Sequence, residues 1–193
     1  MKQLHKYILE KLKIDKSTKI DRFIPKNTKD LTDIIKNLVN ERGKDADLND
    51  IDVSNITKFD TVFYPVRDII ENINISEWNV SAGISFEGMF HNCHKFNADL
   101  SKWDMSNAKN IGAMFDECWE FNSDLSKWDV SSVEEMGATF YNCENFNCDL
   151  GKWDTSNVKR MKYLFSGCKK FEGRNLDKWL ILANAEDMEN AFY

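Results

Sequence analysis

Tryptophan returns every 25 residues along this chain: Trp78, Trp103, Trp128 and Trp153, with Trp179 arriving one residue late. Phe90, Phe115, Phe140 and Phe165 keep the same period, as do Phe96, Phe121, Phe146 and Phe171 and the cysteines Cys93, Cys118, Cys143 and Cys168. Upstream, residues 48–56 match residues 125–133, so Ile51 stands at the tryptophan position of a first, divergent unit. Four positions recurring in register define a repeat protein. One unit is too small to bury its own tryptophan, valine, methionine and phenylalanine, so neighbouring units must stack to make a continuous core. Trp103, Trp128, Trp153, Phe115, Phe140, Phe121 and Phe146 are its expected centre.

Each unit divides into two halves. Leu125-x-x-Trp128-x-Val130 has the spacing of a leucine-rich repeat, whose short strand alternates inward apolar with outward polar residues. Val133, Met136, Thr139, Phe140 and Cys143 then follow at helical spacing. Ser131 reads as the helix cap with Glu134 three residues on, and Ser106 and Ser156 hold the same place in neighbouring units. The fold these features predict is α/β: a right-handed leucine-rich-repeat solenoid of about five to six units, strands on the concave side and short helices on the convex side.

The ends depart from the repeat. Leu31, Ile34, Ile35, Leu38 and Val39 make one apolar stripe, Asn27 or Thr28 can cap its start, and Gly43 suits its stop, which predicts a capping helix within residues 27–45. Residues 46–193 form the solenoid, closed by an altered C-terminal unit in which Ala185, Met188 and Phe192 repeat the core face. Residues 1–24 are basic and amphipathic. Leu4, Tyr7, Ile8 and Leu12 line one side of a short helix there, expected to dock on the cap, on a second copy or on a larger assembly.

The run from Phe121 through Val133, followed by Met136, Phe140 and Cys143, resembles the 25-residue repeat of BspA-like leucine-rich-repeat proteins of Bacteroidetes, mycoplasmas and protozoan parasites. That resemblance covers about residues 46–192. It implies a leucine-rich-repeat solenoid and, for the better-known members, a cell-surface adhesin, here without an export signal. Met1-Lys2-x-Leu4-x-x-Tyr7-Ile8-x-Glu10 is similar to the leader that sends internal proteins into the heads of T4-like phages. It implies a virion-associated or internal head protein recruited by its N-terminal segment.

Net charge is −6, unevenly divided: residues 1–44 carry 12 basic and 6 acidic side chains, residues 45–193 carry 14 and 26. An acidic body argues against a nucleic-acid partner. The longest apolar run is the five residues 179–183, far short of the roughly 20 that span a bilayer. With no secretory signal visible, the expected compartment is the cytoplasm, with the virion as the phage-type alternative. The five cysteines are expected as free thiols, Cys148 the most exposed of them. His91 and His94 flank Cys93, but neither recurs, so no metal and no other cofactor is expected. No nucleophile–base grouping or phosphate loop is visible, and the chain reads as a non-enzyme.

Candidate partner-binding residues come from two patterns. Lys102, Lys127, Lys152 and Lys178 flank the tryptophans on one side, and Asp104, Asp129 and Asp154 flank them on the other, giving charged rows on the predicted concave face. Trp119 and Tyr141 break the repeat with large aromatics, which marks them as contacts. The functional expectation is a protein-interaction or structural module with a protein partner.

Overall fold

The computed structural model describes residues 22–179 and residue 191. The basic segment with Leu4, Tyr7, Ile8 and Leu12, and the expected closing residues Ala185, Met188 and Phe192, lie outside those residues.

Thr28–Arg42 is an α-helix, α1. Asn27 Oδ1 accepts the Asp30 N–H at 3.0 Å, and Gly43, at φ 87°, ends the helix by returning its N–H to the Val39 carbonyl. Leu31, Ile35, Leu38 and Val39 are buried. Just before α1, Phe23 forms a parallel bridge with Ile51, donating to the Asp50 carbonyl and accepting from Asp52, both at 2.8 Å. Asn55 Nδ2 donates to the Pro25 carbonyl and Thr28 Oγ1 to the Lys58 carbonyl, so residues 23–42 are tied to the first unit by backbone and side chain together.

Beyond α1 each 25-residue unit lies against the next. Parallel bridges join Lys58 to Ser85, Ser85 to Asn110, Asn110 to Glu135 and Glu135 to Arg160. Ile111, Ala113, Phe115 and Glu117 donate to the carbonyls of Glu135, Gly137, Thr139 and Tyr141, each at 2.9 Å. One unit later Met136, Ala138, Phe140 and Asn142 donate to Arg160, Lys162, Leu164 and Ser166 at 2.8–3.0 Å. The N–H groups in between close tight turns: Met114 to Ile111, Asp116 to Ala113 and Cys118 to Phe115.

The helices expected within the units are not there. Among the described residues α1 is the only α-helix, apart from single 3₁₀ turns at Tyr64–Val66 and Leu176–Lys178. Ala138 (φ 55°) and Asn142 (φ 54°) are left-handed, as are Ala113 and Glu117 one unit earlier and Gly88 and Asn92 before them. A left-handed residue every four positions breaks an α-helix, whereas the third residue of a type II turn requires one. Val133, Met136, Thr139, Phe140 and Cys143 are nevertheless all buried. Their spacing serves two successive tight turns as well as it serves a helix.

The ladder also lies on the other half of the unit from the one expected. Among the described residues no backbone hydrogen bond joins the segments 78–80, 103–105, 128–130 and 153–155 of neighbouring units. Indole stacking explains why. Successive tryptophan rings are parallel with centroids 6.3–6.5 Å apart, against 5.6–5.7 Å for Phe90, Phe115, Phe140 and Phe165. Paired strands sit about 4.8 Å apart. The strand pairing expected on the Trp-Asp-Val half is thus found on the half that follows it. Each indole instead reaches back through its N–H: Trp103 to the Ile75 carbonyl, Trp128 to Leu100, Trp153 to Leu125 and Trp179 to Leu150, at 2.9–3.1 Å.

Candidate functional site

The charged rows beside the tryptophans serve local structure, and four of their members share one open cleft. Asp104, Asp129 and Asp154 each accept, through Oδ1, the N–H of the serine two residues on, at 3.0 Å. Asn79 does the same for Ser81. These are Asx turns that fix the corner of each unit, and Ser106, Ser131 and Ser156 are their second members rather than helix caps. Hydrogen bonds from Ser106 and Ser156, the hydroxyl contribution first, hold the Asp104 and Asp154 carboxyls below the usual carboxylate range. Lys102 pairs not with an aspartate of its own unit but with Glu77 of the preceding one, at 2.6 Å. Lys127 and Lys152 line an open cleft of about 380 Å³ with Ser126, Trp128, Asp129 and Asp154. That cleft lies between two successive units.

The cysteine row is spent on packing. Cys118, Cys143 and Cys168 donate to the carbonyls of Phe90, Phe115 and Phe140 one unit back, at 3.0, 3.0 and 2.8 Å. All five cysteines are free, and burial pushes the thiols up, to about 12 at Cys168. Cys148, expected to be the most exposed of the five, is half-buried, accepts the Leu125 N–H at 3.2 Å and has its thiol pushed up to about 11 by burial. Its thiolate is therefore scarce at neutral pH. Among the described residues no group of three or more His, Cys, Asp or Glu is placed to hold a metal.

The turn that follows the ladder carries the exposed chemistry. Trp119 is 42% exposed. Its ring stacks on His94 with centroids 3.9 Å apart, and its indole N–H donates to Glu117 at 2.8 Å. Tyr141 is half-buried and meets Tyr163 edge-on at 6.3 Å, so the two aromatic departures from the repeat do not share one ring cluster. Tyr64 and Tyr163 are exposed here too, at 44% and 39%, and the sequence reading missed both. Tyr163 had a signal: it stands where earlier units place Gly88, Ala113 and Ala138. Tyr64 stacks on His91, whose Nδ1 lies 3.0 Å from Asp116 Oδ2. Desolvation raises the Asp116 carboxyl above its usual range, with His91 opposing.

Among the described residues no helix is long and apolar enough to cross a membrane. No curated protein and no solved structure matches the chain. A family model described as "Mycoplasma protein of unknown function, DUF285" matches residues 29–140 and again residues 103–193. The two matches overlap within the third and fourth units and between them take in every stacked unit and all but the first residue of α1. By that coverage, the chain belongs to the Mycoplasma protein family of unknown function DUF285.

Proposed function

We propose that this chain is a non-enzymatic protein-interaction module built on a leucine-rich-repeat-type solenoid, and that its partner contacts the turn side around Trp119. Support for the scaffold comes from the register: bridges, indole hydrogen bonds and thiol hydrogen bonds all run from one unit to its neighbour at the same positions. Support for a non-catalytic role comes from how the reactive side chains are used, with aspartates in Asx turns and thiols in carbonyl hydrogen bonds. The observation that carries the interaction reading is Trp119, an indole left in solvent by a fold that buries the tryptophan of every described repeat. Tryptophan, with tyrosine and arginine, is enriched among the residues that carry binding energy at interfaces.

A photo-crosslinking side chain placed at position 119, and separately at position 127 beside the buried Trp128, tests this in cells that carry the protein. A discrete protein adduct from position 119 and none from position 127 is the expected result. Equal labelling from both, or none from position 119, contradicts it.

A further inference from the structure

Many carboxylates on this surface are matched by a cation, often from a neighbouring unit. Lys102 pairs with Glu77 at 2.6 Å, Lys159 with Glu134 and Lys169 with Glu144 at 2.7 Å, Arg160 with Glu135, and both Lys44 and Lys95 with Glu71. The turn around Trp119 is built differently. Glu117 accepts the Trp119 indole N–H and Asn142 Nδ2, each at 2.8 Å. Glu120 accepts Asn145 Nδ2 at 2.7 Å. Amide and indole donors orient a carboxylate without cancelling its charge, so two carboxylates are held in place beside an exposed aromatic plane, and among the described residues no lysine or arginine is paired to them. Asp116, on the same turn, faces His91.

We propose that this turn docks a lysine- or arginine-bearing segment of a partner protein, a statement that rests on the reading of Trp119 as a contact and gives that contact its chemistry. His94 covers one face of the indole, and a side-chain cation can lie against the rest of the ring, where the quadrupole attracts it. Its N–H groups then reach Glu117 and Glu120, supplying the charge-assisted hydrogen bonds that the amides do not. Acidic surroundings disfavour a phosphate-bearing partner at the same place. An apolar segment would leave both carboxylates uncompensated.

The test is a titration of the full chain at low salt with short blocked peptides of equal length, alternating Lys-Ser, Glu-Ser or Gln-Ser. The readout is tryptophan emission, in which Trp119 is exposed while Trp78, Trp103, Trp128, Trp153 and Trp179 are buried. Only the Lys-Ser peptide is expected to bind. Its affinity should fall about tenfold in Trp119→Ala, followed by isothermal calorimetry, and in Glu117→Gln/Glu120→Gln. Added salt should weaken it, and Lys36→Ala, at an exposed position of α1, should leave it unchanged. Glu120→Gln alone, at an exposed position, serves as a second variant should the double change disturb Asn142. Equal affinity for all three peptides, no binding by Lys-Ser, or an unchanged affinity in Trp119→Ala overturns the proposal. A crosslinked partner at position 119 combined with no preference for the cationic peptide would sink this proposal alone and leave the interaction module standing.

Discussion

Thr155 occupies a slot that other units give to Val53, Val80, Met105 and Val130, and it is buried there with its hydroxyl lacking a partner. Leaving a buried hydroxyl unsatisfied costs about 1–3 kcal/mol, so Thr155→Val, which keeps the shape, should raise stability by about 1 kcal/mol. Denaturant unfolding decides it, and a lower midpoint would mean that the hydroxyl is engaged. The aspartates of the corners make the opposite kind of contribution. Hydrogen bonds from the serine two residues on hold Asp52, Asp99, Asp104, Asp124 and Asp154 below the ordinary carboxylate range. A depressed folded value means that their stabilisation is complete above about pH 4 and drains away as pH falls through the folded values. Asp116, raised by burial, works with the opposite sign as pH falls. Replacing Asp104 and Asp154 by asparagine keeps the oxygen acceptor, as Asn79 does in its own unit, and removes the titration. Urea midpoints measured down the acid limb should fall less steeply for Asp104→Asn/Asp154→Asn than for the native chain; parallel acid limbs would show that these hydrogen bonds do not discriminate the charged form.

At the scale of the element, the sequence pattern shows which residues are buried more reliably than it shows what they form. α1 was readable because its cap, apolar stripe and stop residue agree with one another and with no competing structure. The half-unit from Val133 to Cys143 was not, because an apolar spacing of three and four suits a helix and a pair of tight turns alike. The residues that settle the matter, Ala138 and Asn142, carry no helix-breaking signature as strong as glycine or proline. The Asp-x-Ser strings suit an Asx corner and a helix cap alike, since both motifs use the same residues. Ala138 gives the direct check. At φ 55°, Ala138→Gly should be neutral or mildly stabilising, and Ala138→Val should cost about 1–3 kcal/mol. In a helix the glycine would instead cost about 1 kcal/mol. Thermal melts of the two variants distinguish the cases, and a destabilising glycine would speak for the helix.

For the whole molecule, the period of 25 residues made the stacking legible, and the stack of Trp103, Trp128 and Trp153 at 6.3–6.5 Å is its result. Which half of the unit carries the hydrogen-bonded ladder was not legible. That choice depends on how far apart the side chains hold the backbones. Indoles stacked face to face with their N–H groups tied to the unit before keep the Trp-Asp-Val segments beyond pairing distance, while the turn half closes up and pairs. The bridges consequently fall at Ser85, Asn110, Glu135 and Arg160, on the turn half, rather than at the Trp-Asp-Val segments that carry the Lys and Asp rows. Native-state amide hydrogen exchange, resolved by residue in the fourth unit, reads this arrangement most directly. The amides of Met136, Ala138, Phe140 and Asn142, which donate to the fifth unit, should be strongly protected, and those of Asp129 and Val130 should exchange fast even though the Val130 side chain is buried. Protected Asp129 and Val130 with fast exchange from Met136 to Asn142 would contradict the account and return the ladder to the tryptophan face.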